Sequence, residues 1–447
     1  MEKELIIHLH EAMTQLLSGF DHLPCFEQEK DMGKINTILN LVAEKLKSNY
    51  PYHHPLYAGQ MLKPPHPVAL LSYTLAMLMN PNNHAIDGGI ASSKLEKEAV
   101  SNIAYMFGWD DFLGHLTSGG TFANLEALWI CEKMNPGKVI VASEQAHYTH
   151  NRICDVLKIA FKPVPADHDG VMDTVALEKI LKDFDVGTVV VTMGTTGCGK
   201  IDPLTKILDL QKQYKFRIHI DAAYGGYFKL ATNLSAETTL AFEQMHKADS
   251  IVVDPHKHGL QPYGCGCILF KDPHVGKFYK HESPYTYFTS DELHLGEISL
   301  ECSRAGASSV ALWATQQYFP MKKGGEFAKN LEKSRHAAIK LFELINSADE
   351  FFTFFKPDLD IIVWSLKGVS SKEISKRNRR FFQKAAQLNL HLALVNIPQS
   401  IASHHCDIQW DSDDLACLRS CLMKPEHDYW IEKMFDIIQT SIKTLNV

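Results

Sequence analysis

The chain has 447 residues, a formal net charge of −7 at pH 7, 45% hydrophobic residues and 22% charged residues. These values describe a folded globular protein that is too long for one small core, so we expect two compact units and an N-terminal arm. An acidic chain without a block of Lys and Arg lacks the electrostatic footprint of a nucleic-acid-binding protein. We therefore predict no nucleic-acid partner.

Targeting and cysteine patterns narrow the class further. The start MEKELIIHLHEAMTQLL lacks the basic and apolar regions of a signal peptide, and no apolar run approaches the roughly 18–20 residues of a membrane helix. The ten cysteines show no disulfide-framework spacing, and the histidine-rich stretch SHHCDIQW at 403–410 has no second pair of metal ligands. We predict a cytoplasmic protein with reduced thiols, no metal and no membrane association.

In chain order, residues 1–50 are predicted to form two helices separated by a loop around 21–31. Five prolines between Pro51 and Pro67 then predict irregular backbone, because proline lacks an amide donor and keeps the preceding residue out of the helical region. A helix follows at 68–79, in VALLSYTLAMLM.

From about residue 112, short apolar runs alternate with amphipathic helical windows. The predicted strands are 138–143, 186–194, 216–224, 250–254 and 266–270. The predicted helices around them are 121–134, 174–184, 204–214 and 241–248. Alternation of this kind over about 110–270 predicts crossover connections and a mostly parallel sheet.

After residue 320 the pattern changes. A long charged helix, GGEFAKNLEKSRHAAIKLFELI, is followed by FFTFF, LDIIVWSL, a helix at 371–388, LHLALVNI, DLACLRSCLM and a closing amphipathic helix. That order predicts an α+β unit with an antiparallel sheet. We therefore expect an N-terminal helical arm at 1–60, a large α/β domain at 61–320 and a small C-terminal α+β domain at 321–447.

Small and polar residues follow the predicted strands, where open parallel sheets bind their ligands. The turn TSGGTFAN, with Gly119, Gly120 and Thr121, opens a helix. Exposed amides and the helix dipole at such a turn favour an anion, most often a phosphate. By itself this pattern is more often a simple helix cap.

Four further residues stand beyond predicted strands: His147, Thr196, Asp221 and Lys257. Asp221 and Lys257 are 36 residues apart, one crossover unit, so we expect them on neighbouring strands. Each residue alone fits a structural role as a cap, a turn residue or a solvated charge. Together with the glycine turn, an imidazole, a carboxylate and a lysine meet the demands of pyridoxal phosphate (PLP), which needs its phosphate anchored, its ring stacked and its aldehyde bound to an amine.

Six motifs occur in an order and spacing that resemble the group II PLP-dependent amino-acid decarboxylases, which include aromatic-amino-acid, glutamate, tyrosine and tyrosine/aspartate decarboxylases. The motifs are HHPLYAGQ, TSGGTFAN, SEQAHYTHNR, MGTTGCGKID, HIDAAYGG and DPHKHGLQPYGCG. The resemblance covers roughly residues 50–310. It implies PLP-dependent fold type I (aspartate-aminotransferase-like), an intertwined homodimer, and active sites that are shared between the two subunits.

The resemblance also implies roles for individual residues. Lys257 matches the Schiff-base lysine, and His256 matches its neighbour at the phosphate. His147 matches the histidine that stacks on the cofactor ring, and Asp221 matches the partner of the pyridinium nitrogen. The other implied cofactor contacts are Gly119, Gly120, Thr121, Thr196, Ala223 and Asp254.

The segment SPYTYFTS contains the loop tyrosine that the resemblance implies as the proton donor to Cα. Tyr287 matches it best, and Tyr285 is the rival because this segment is one residue longer than in some relatives. Arg304, in CSRAGAS, matches an S-R-x-G element and is a candidate anion contact. Tyr57 and Gln60 are further candidates for contact with the substrate.

The implied reaction is α-decarboxylation of an L-amino acid to its amine and CO2. The DPHK motif resembles the tyrosine/aspartate branch, although Asp254 stands where many animal relatives have Asn and His258 replaces bulkier or apolar residues. We therefore expect an aromatic, tyrosine-like substrate or an acidic one, with a slight preference for the aromatic.

Four alternatives stay open. A PLP-dependent aldehyde synthase, an aminotransferase or another carbon–carbon lyase would share the fold, and a tyrosine at 287 favours decarboxylation because relatives with Phe there form aldehydes. A non-enzymatic scaffold is disfavoured by the intact Lys257, Asp221 and His147.

Overall fold

The described part of the chain forms fourteen α-helices and eleven β-strands, which build two separate sheets. The computed structural model describes residues 3–26, 29–280 and 293–445. The helices are α1 Lys3–Ser18, α2 Met32–Leu46, α3 Pro67–Met77, α4 Ile90–Phe107, α5 Gly120–Met134, α6 Thr149–Leu157, α7 Thr174–Asp183, α8 Leu204–Tyr214, α9 Ala236–Gln244, α10 Gly306–Tyr318, α11 Glu326–Ser347, α12 Ser371–Gln387, α13 Gln399–Ala402 and α14 His427–Leu445. The strands are β1 Leu113–Thr117, β2 Val139–Ser143, β3 Phe161–Val164, β4 Val186–Thr192, β5 Arg217–Asp221, β6 Ser250–Val253, β7 Gly266–Phe270, β8 Phe351–Thr353, β9 Ile361–Leu366, β10 Ala393–Pro398 and β11 Asp414–Cys421.

The larger sheet has seven strands in the order β1-β7-β6-β5-β4-β2-β3. Strands β2 to β6 pair in parallel, and β7 pairs antiparallel with both β6 and β1. Helices α6, α7, α8 and α9 each connect two of the parallel strands in chain order. The carboxyl ends of the parallel strands therefore meet at one edge of the sheet, where the turns after them converge.

The central strands owe their continuous apolar sequences to burial on both faces. Every residue of β4 and of β6 is buried, and so is β5 after its first residue. Because alternate side chains of a strand point to opposite faces, full burial means that both faces of this sheet are covered. This rigid core positions the turns at the carboxyl edge.

The smaller sheet has four antiparallel strands in the order β10-β11-β9-β8. Helices α11 and α12 pack on its strands, and α14 packs on both helices. At the centre of this core, Trp364 is fully buried and lies edge-to-face with Phe351 and Phe381. Its indole nitrogen donates to Ser420 Oγ at 3.1 Å, so the one polar atom of the ring is satisfied.

The N-terminal region is attached to both parts of the fold. Helix α1 packs against α3, but neither α1 nor α2 has a buried residue. Further along, Ala58 donates its amide to His391 O and accepts from Cys421 N, both at 2.8 Å. The segment after α2 thus joins the small sheet, although the sequence pattern groups it with the arm. No helix in the described ranges is long and apolar enough to cross a bilayer.

The predicted fold class is confirmed: the large sheet is mostly parallel and the C-terminal sheet is antiparallel. The predicted strands are present; 266–270 has the predicted bounds and the others are shorter, so that 216–224 is observed as Arg217–Asp221. Strand β3 is not predicted, because FKPV is short, contains a proline and lies at the edge of the sheet, where it is only partly buried. The domain division 1–60, 61–320 and 321–447 stays a proposal, and its boundary near 320 falls between α10 and α11.

Candidate active site

A cavity of about 410 Å³ opens at the carboxyl edge of the large sheet. The turns after β1, β2, β4, β5 and β6 all contribute to its lining. The structure brings every predicted cofactor contact into this lining: Gly119, Gly120, Thr121, His147, Thr196, Asp221, Ala223, Asp254, His256 and Lys257. Residues spread over 139 positions of sequence therefore face one space.

Two glycines shape the turn between β1 and α5. Gly119 has a φ of +148°, a backbone conformation that L side chains rarely adopt. Gly120 is the first residue of α5, and a Cβ there would lie 2.5 Å from Oδ2 and 2.8 Å from Oδ1 of Asp254. The start of α5 can approach Asp254 only because it has no side chain. Its amides and the helix dipole suit an anionic group such as a phosphate.

Asp221 lies at the end of β5 and is held by three donors. His150 Nε2 lies 2.9 Å from its Oδ2, Asn124 Nδ2 donates to Oδ2 at 3.4 Å, and the Ala223 amide donates to Oδ1 at 3.1 Å. Burial alone would raise the pKa of Asp221. The hydrogen bond and charge of His150, with the charge of Lys257, outweigh burial and hold that pKa well below its usual range. The side chain is therefore a carboxylate at neutral pH.

A second layer of polar side chains fixes the groups around Asp221. His219, on β5, has its Nε2 2.8 Å from Asn124 Oδ1 and its Nδ1 2.8 Å from Ser250 Oγ. Burial, reinforced by the charge of His150, lowers the pKa of His219 to about 3, so this imidazole is neutral and orients Asn124. Sequence reasoning missed His150. Its signal is its position three residues after His147: the chain turns there, with the His150 amide donating to His147 O at 3.2 Å, so both imidazoles lie near the cavity.

His147 is a half-buried imidazole on the wall of the cavity. Its Nδ1 lies 2.8 Å from Thr149 Oγ1, which fixes the orientation of the ring. Burial lowers the pKa of His147, and the attraction of Asp221 only partly offsets this effect. At neutral pH the ring is uncharged and flat, which suits stacking on an aromatic cofactor.

Lys257 stands on the turn after β6, three residues beyond Asp254. Its Nζ lies 3.1 Å from Asp254 Oδ2, and its backbone amide donates to Asp254 O at 2.9 Å. His256 Nδ1 donates to Cys265 O at 2.7 Å and so ties this turn to the start of β7. Asp254 Oδ1 is buried without a hydrogen-bond partner among the described residues, so the carboxylate retains acceptor capacity beside the amine.

These features fit PLP. The glycine turn before α5 offers amides to a phosphate, the carboxylate of Asp221 can accept from a protonated pyridine nitrogen, and the amine of Lys257 can bind an aldehyde. No group of three or more His, Cys, Asp or Glu that could hold a metal ion occurs within the described ranges.

The remaining predicted residues are placed differently. Arg304 is buried and makes a salt bridge with Glu96, and it is not part of the cavity lining. Tyr57 and Gln60 also lie outside the lining; the Tyr57 hydroxyl accepts from the Gln60 amide at 3.3 Å. Tyr285 and Tyr287 lie outside the described residues.

Arg419, on β11 of the small sheet, lies next to the cavity without lining it, and sequence reasoning missed it. It is buried, its Nη1 donates to Thr196 O at 2.8 Å and its Nη2 donates to Gln60 Oε1 at 3.3 Å. Its Nε is buried without an acceptor among the described residues. Nothing in DLACLRSCLM distinguishes this arginine from any strand residue, because its partners lie 223 and 359 positions away.

Comparison with known proteins gives a consistent result. Residues 30–367, more than half of the chain, match the family model of the pyridoxal-dependent decarboxylase conserved domain. The L-tyrosine decarboxylase of Enterococcus faecium is 25% identical over 464 residues, covering 79% of this chain and 76% of that protein. The L-aspartate decarboxylase of Thermococcus kodakarensis is 28% identical over 283 residues, covering 62% and 71%. The crystal structure of mouse CSAD shares the fold, with a TM-score of 0.78 at 18% identity over 96% of this chain and 91% of that chain.

The close approach of Gly120 to Asp254 generates a prediction. We expect Gly120→Ala to weaken PLP binding by about tenfold or more, because overpacking of this kind typically costs 1–3 kcal/mol and would displace either α5 or Asp254. Gly276→Ala is the matched control, since a Cβ there meets its nearest atom, Leu113 Cδ2, at an ordinary 3.5 Å. Fluorescence titration of the apoprotein with PLP measures both. Equal affinities for the two variants would contradict the tight contact.

Proposed function

Because the chain belongs to the pyridoxal-dependent decarboxylase family, it is a PLP-dependent amino-acid decarboxylase, and we propose that it converts an aromatic, tyrosine-like L-amino acid to its amine and CO2. The observation that carries this proposal is the meeting of Lys257, Asp221 and His147 in one cavity with the glycine turn before α5. The L-tyrosine decarboxylase of Enterococcus faecium, similar over 79% of this chain, supports an aromatic substrate.

The polar residues of the cavity divide the work between them. When bound, PLP supplies an electron sink for the pair released as the bond between Cα and the carboxylate breaks. Asp221, a carboxylate at neutral pH, would accept a hydrogen bond from the pyridine nitrogen and so keep that nitrogen protonated. Lys257 contributes the amine that binds the cofactor aldehyde. His150 and Asn124 keep Asp221 oriented for its role.

His147 and the start of α5 would position the two ends of the cofactor. The neutral imidazole of His147 can stack on a flat ring, and its fixed orientation through Thr149 favours one ring plane. The amides that follow Gly119 can hold the phosphate, assisted by the helix dipole. Anchoring at both ends restricts the reacting bond to one geometry, which lowers the entropic part of the barrier.

The proton that replaces CO2 on Cα needs a donor. We assign this role to Tyr287, with Tyr285 as the rival, on the basis of the sequence resemblance. Both residues lie outside the described part of the chain, so the assignment depends on the motif SPYTYFTS. A phenol at this point acts as a general acid.

The substrate end of the site would lie beside Arg419, Gln60 and Tyr57. The guanidinium of Arg419 is buried next to Thr196, which lines the cavity, and can bind a carboxylate in a charge-assisted pair. Next to Gln60, the buried ring of Tyr57 lies 4.9 Å from that of Tyr52, in an aromatic cluster behind the cavity lining that would give this end of the site an apolar surround. This pairing of a cation and an apolar surface supports the tyrosine-like substrate.

An acidic substrate is the second candidate. Arg419 would then bind the carboxylate of the side chain, and the L-aspartate decarboxylase of Thermococcus kodakarensis, 28% identical over 62% of this chain, is consistent with that assignment. The two candidates place different demands on Arg419 and Tyr57, so a panel of amino acids distinguishes them.

We also propose that two chains form a homodimer with shared active sites. Helices α1 and α2 support this proposal, because they present large apolar side chains to solvent. On α2 the exposed ones are Met32, Ile35, Ile38, Leu39, Leu41, Val42 and Leu46. A contiguous apolar surface of this kind marks a protein–protein interface.

The central role of Lys257 predicts a complete loss of reaction. We expect wild-type protein loaded with PLP to release CO2 from L-tyrosine faster than from L-phenylalanine, L-aspartate or L-glutamate. We expect Lys257→Ala to form no product amine above background, because the side chain that binds the cofactor aldehyde is removed. Lys271→Ala, which alters an exposed lysine outside the cavity, is the control. Fastest release from L-aspartate would favour the second candidate, and wild-type protein that decarboxylates no amino acid would overturn the proposal.

The assignment of the proton donor predicts a change of product. We expect Tyr287→Phe to lower amine formation by about 10²–10⁴-fold and to shift the product towards the aldehyde, because the general acid is missing. Tyr285→Phe is the matched control and should keep the amine as product. Chromatography of both product classes checks this, and the reverse result would move the role to Tyr285.

The dimer proposal predicts a dependence on α2. We expect the wild-type protein to be a dimer and the double variant Ile35→Asp, Leu39→Asp to be a monomer with lower activity, because its two charges would have to be buried at the interface. Val175→Asp, at an exposed apolar residue of α7, is the control and should stay dimeric. Light scattering after gel filtration measures the mass. A monomeric wild-type protein, or a double variant that stays dimeric, would refute this interface.

A further inference from the structure

A second cavity, of about 520 Å³, lies on the other side of the turn that carries Lys257. We call it the rear cavity. Its wall is formed by residues 63–67, by His258 and Leu260, by the end of α10 with the start of α11, and by 424–429. None of its lining residues lines the active-site cavity, so the two cavities are separate. Both are lined by residues of the turn after β6: Lys257 lines the active-site cavity, and His258 and Leu260 line the rear cavity.

Two buried lysines form part of the rear cavity. Lys63 is 9% exposed and Lys424 is 5% exposed. The Nζ of Lys63 donates to Met423 O at 3.1 Å, and that of Lys424 donates to Tyr57 O at 2.7 Å. Among the described residues, no carboxylate oxygen lies within 4.0 Å of either ammonium group. Each cation therefore has a carbonyl partner but no counter-charge in direct contact.

The burial of these lysines is visible in their acidity. Burial lowers the pKa of both to about 8; for Lys63 the attraction of Asp360 opposes the effect, and for Lys424 repulsion from Lys63 adds to it. Both side chains are still mostly ammonium ions at pH 7. The nearest acids, Asp360 and Glu426, only partly offset the cost of burying these charges, and neither is in direct contact, so an anion that enters the cavity would be bound by both lysines.

His258 is a third polar group in this wall, and it is fully buried. Its Nε2 lies 3.2 Å from Asp360 Oδ2, while its Nδ1 has no hydrogen-bond partner among the described residues. Burial, with the charges of Lys63 and Lys257, lowers its pKa well below the usual value, so the ring is neutral. A buried histidine nitrogen with unused hydrogen-bonding capacity is the kind of group that a ligand satisfies.

The rest of the lining limits the class of anion. Tyr318, Phe319, Phe327 and Leu260 add flat apolar surface. Three carboxylates also line the cavity: Glu326 and Glu426 are solvent-exposed, and Asp428 is half-buried. The remaining charged and titratable groups of the lining are the exposed Lys333 and two histidines, His53 and His66. This arrangement of buried cations with more exposed acids disfavours multiply charged anions by repulsion and favours a ligand with one negative charge and an apolar body.

We propose that the rear cavity is a binding site for a small organic monocarboxylate with an aromatic ring. The carboxylate would bind Lys63 and Lys424, and the ring would pack on Tyr318, Phe319 and Phe327. This inference goes beyond the proposed function and does not rest on it, because no residue of the rear cavity belongs to the active-site lining.

The site would lie in direct structural contact with the active site. His258 follows Lys257 in the chain, and its partner Asp360 accepts a hydrogen bond from the Tyr224 hydroxyl at 2.6 Å. Tyr224 lines the active-site cavity. A ligand that changes the orientation of His258 therefore acts on the residue next to Lys257 and on the charged group, Asp360, that holds the Tyr224 hydroxyl.

The test is calorimetric titration of the PLP-loaded protein with 3-phenylpropionate. We expect wild-type protein to bind it, and Lys63→Met and Lys424→Met each to weaken binding by about tenfold or more, the fold-change for loss of one charged hydrogen bond. Lys333→Met, which removes an exposed lysine from the same cavity, should bind within about twofold of the wild type. Binding should weaken as the pH rises through 8, because the two buried lysines lose their charge there.

A cavity-filling variant and a second anion test the site independently of the lysine variants. Asn330→Trp keeps both buried lysines and fills the cavity from α11, so it should abolish binding. Circular dichroism of each variant shows whether it is folded, and Asn330→Trp still tests the site if a lysine variant is not. Inorganic phosphate should bind more weakly than 3-phenylpropionate. The proposal is overturned if wild-type protein gives no binding heat with millimolar 3-phenylpropionate, or if it binds phosphate more tightly than 3-phenylpropionate. It is also overturned if Lys63→Met, Lys424→Met and Asn330→Trp all bind 3-phenylpropionate as tightly as the wild type does.

Discussion

The buried pair of Asp221 and His150 is the interaction on which the active site depends. A carboxylate this deeply buried would ordinarily take up a proton, and a protonated Asp221 could no longer accept from a pyridinium nitrogen. The hydrogen bond and charge of His150 reverse that tendency, with Lys257 adding its charge. A buried charge is tolerated where hydrogen-bond donors satisfy it, so the role of this contact is to hold the charge of Asp221 in one position. The layer behind it, His219 with Asn124 and Ser250, maintains that arrangement from inside the sheet.

The glycine turn before α5 and the turn after β6 that carries Lys257 both contact Asp254. Its carboxylate lies 3.1 Å from the Lys257 amine, and it occupies the space that any side chain at position 120 would need. The two turns come from strands at different places in the sheet, β1 and β6, which are separated by β7. Since close-packed elements transmit small shifts, the start of α5 and the amine must move together. The start of α5 and the amine of Lys257 are thus positioned by contacts with the same carboxylate.

The small sheet also contacts residues at the active-site cavity. Arg419 reaches from β11 to Thr196 and Gln60, and Asp360, which precedes β9, accepts from Tyr224 at the cavity. Asp360 also faces His258, so the same carboxylate lies between the active site and the rear cavity. Both cavities therefore depend on how the small domain docks on the turn after β6. A substitution at this contact is expected to alter the site without touching the cofactor contacts.

The sequence alone determined the fold class and the group of predicted cofactor contacts that line the cavity. Apolar runs alternating with helical windows defined the parallel strands, and glycines, Asp221 and Lys257 directly beyond them marked the edge where ligands bind, because both signals are local in the chain. Only the tertiary structure decided which groups stand behind these contacts. His150 meets Asp221 across 71 positions and Arg419 meets Thr196 across 223, and such pairs depend on which strands become neighbours and on how the small domain docks. The rear cavity likewise exists only where four distant segments enclose a space, and no spacing along the chain encodes that enclosure.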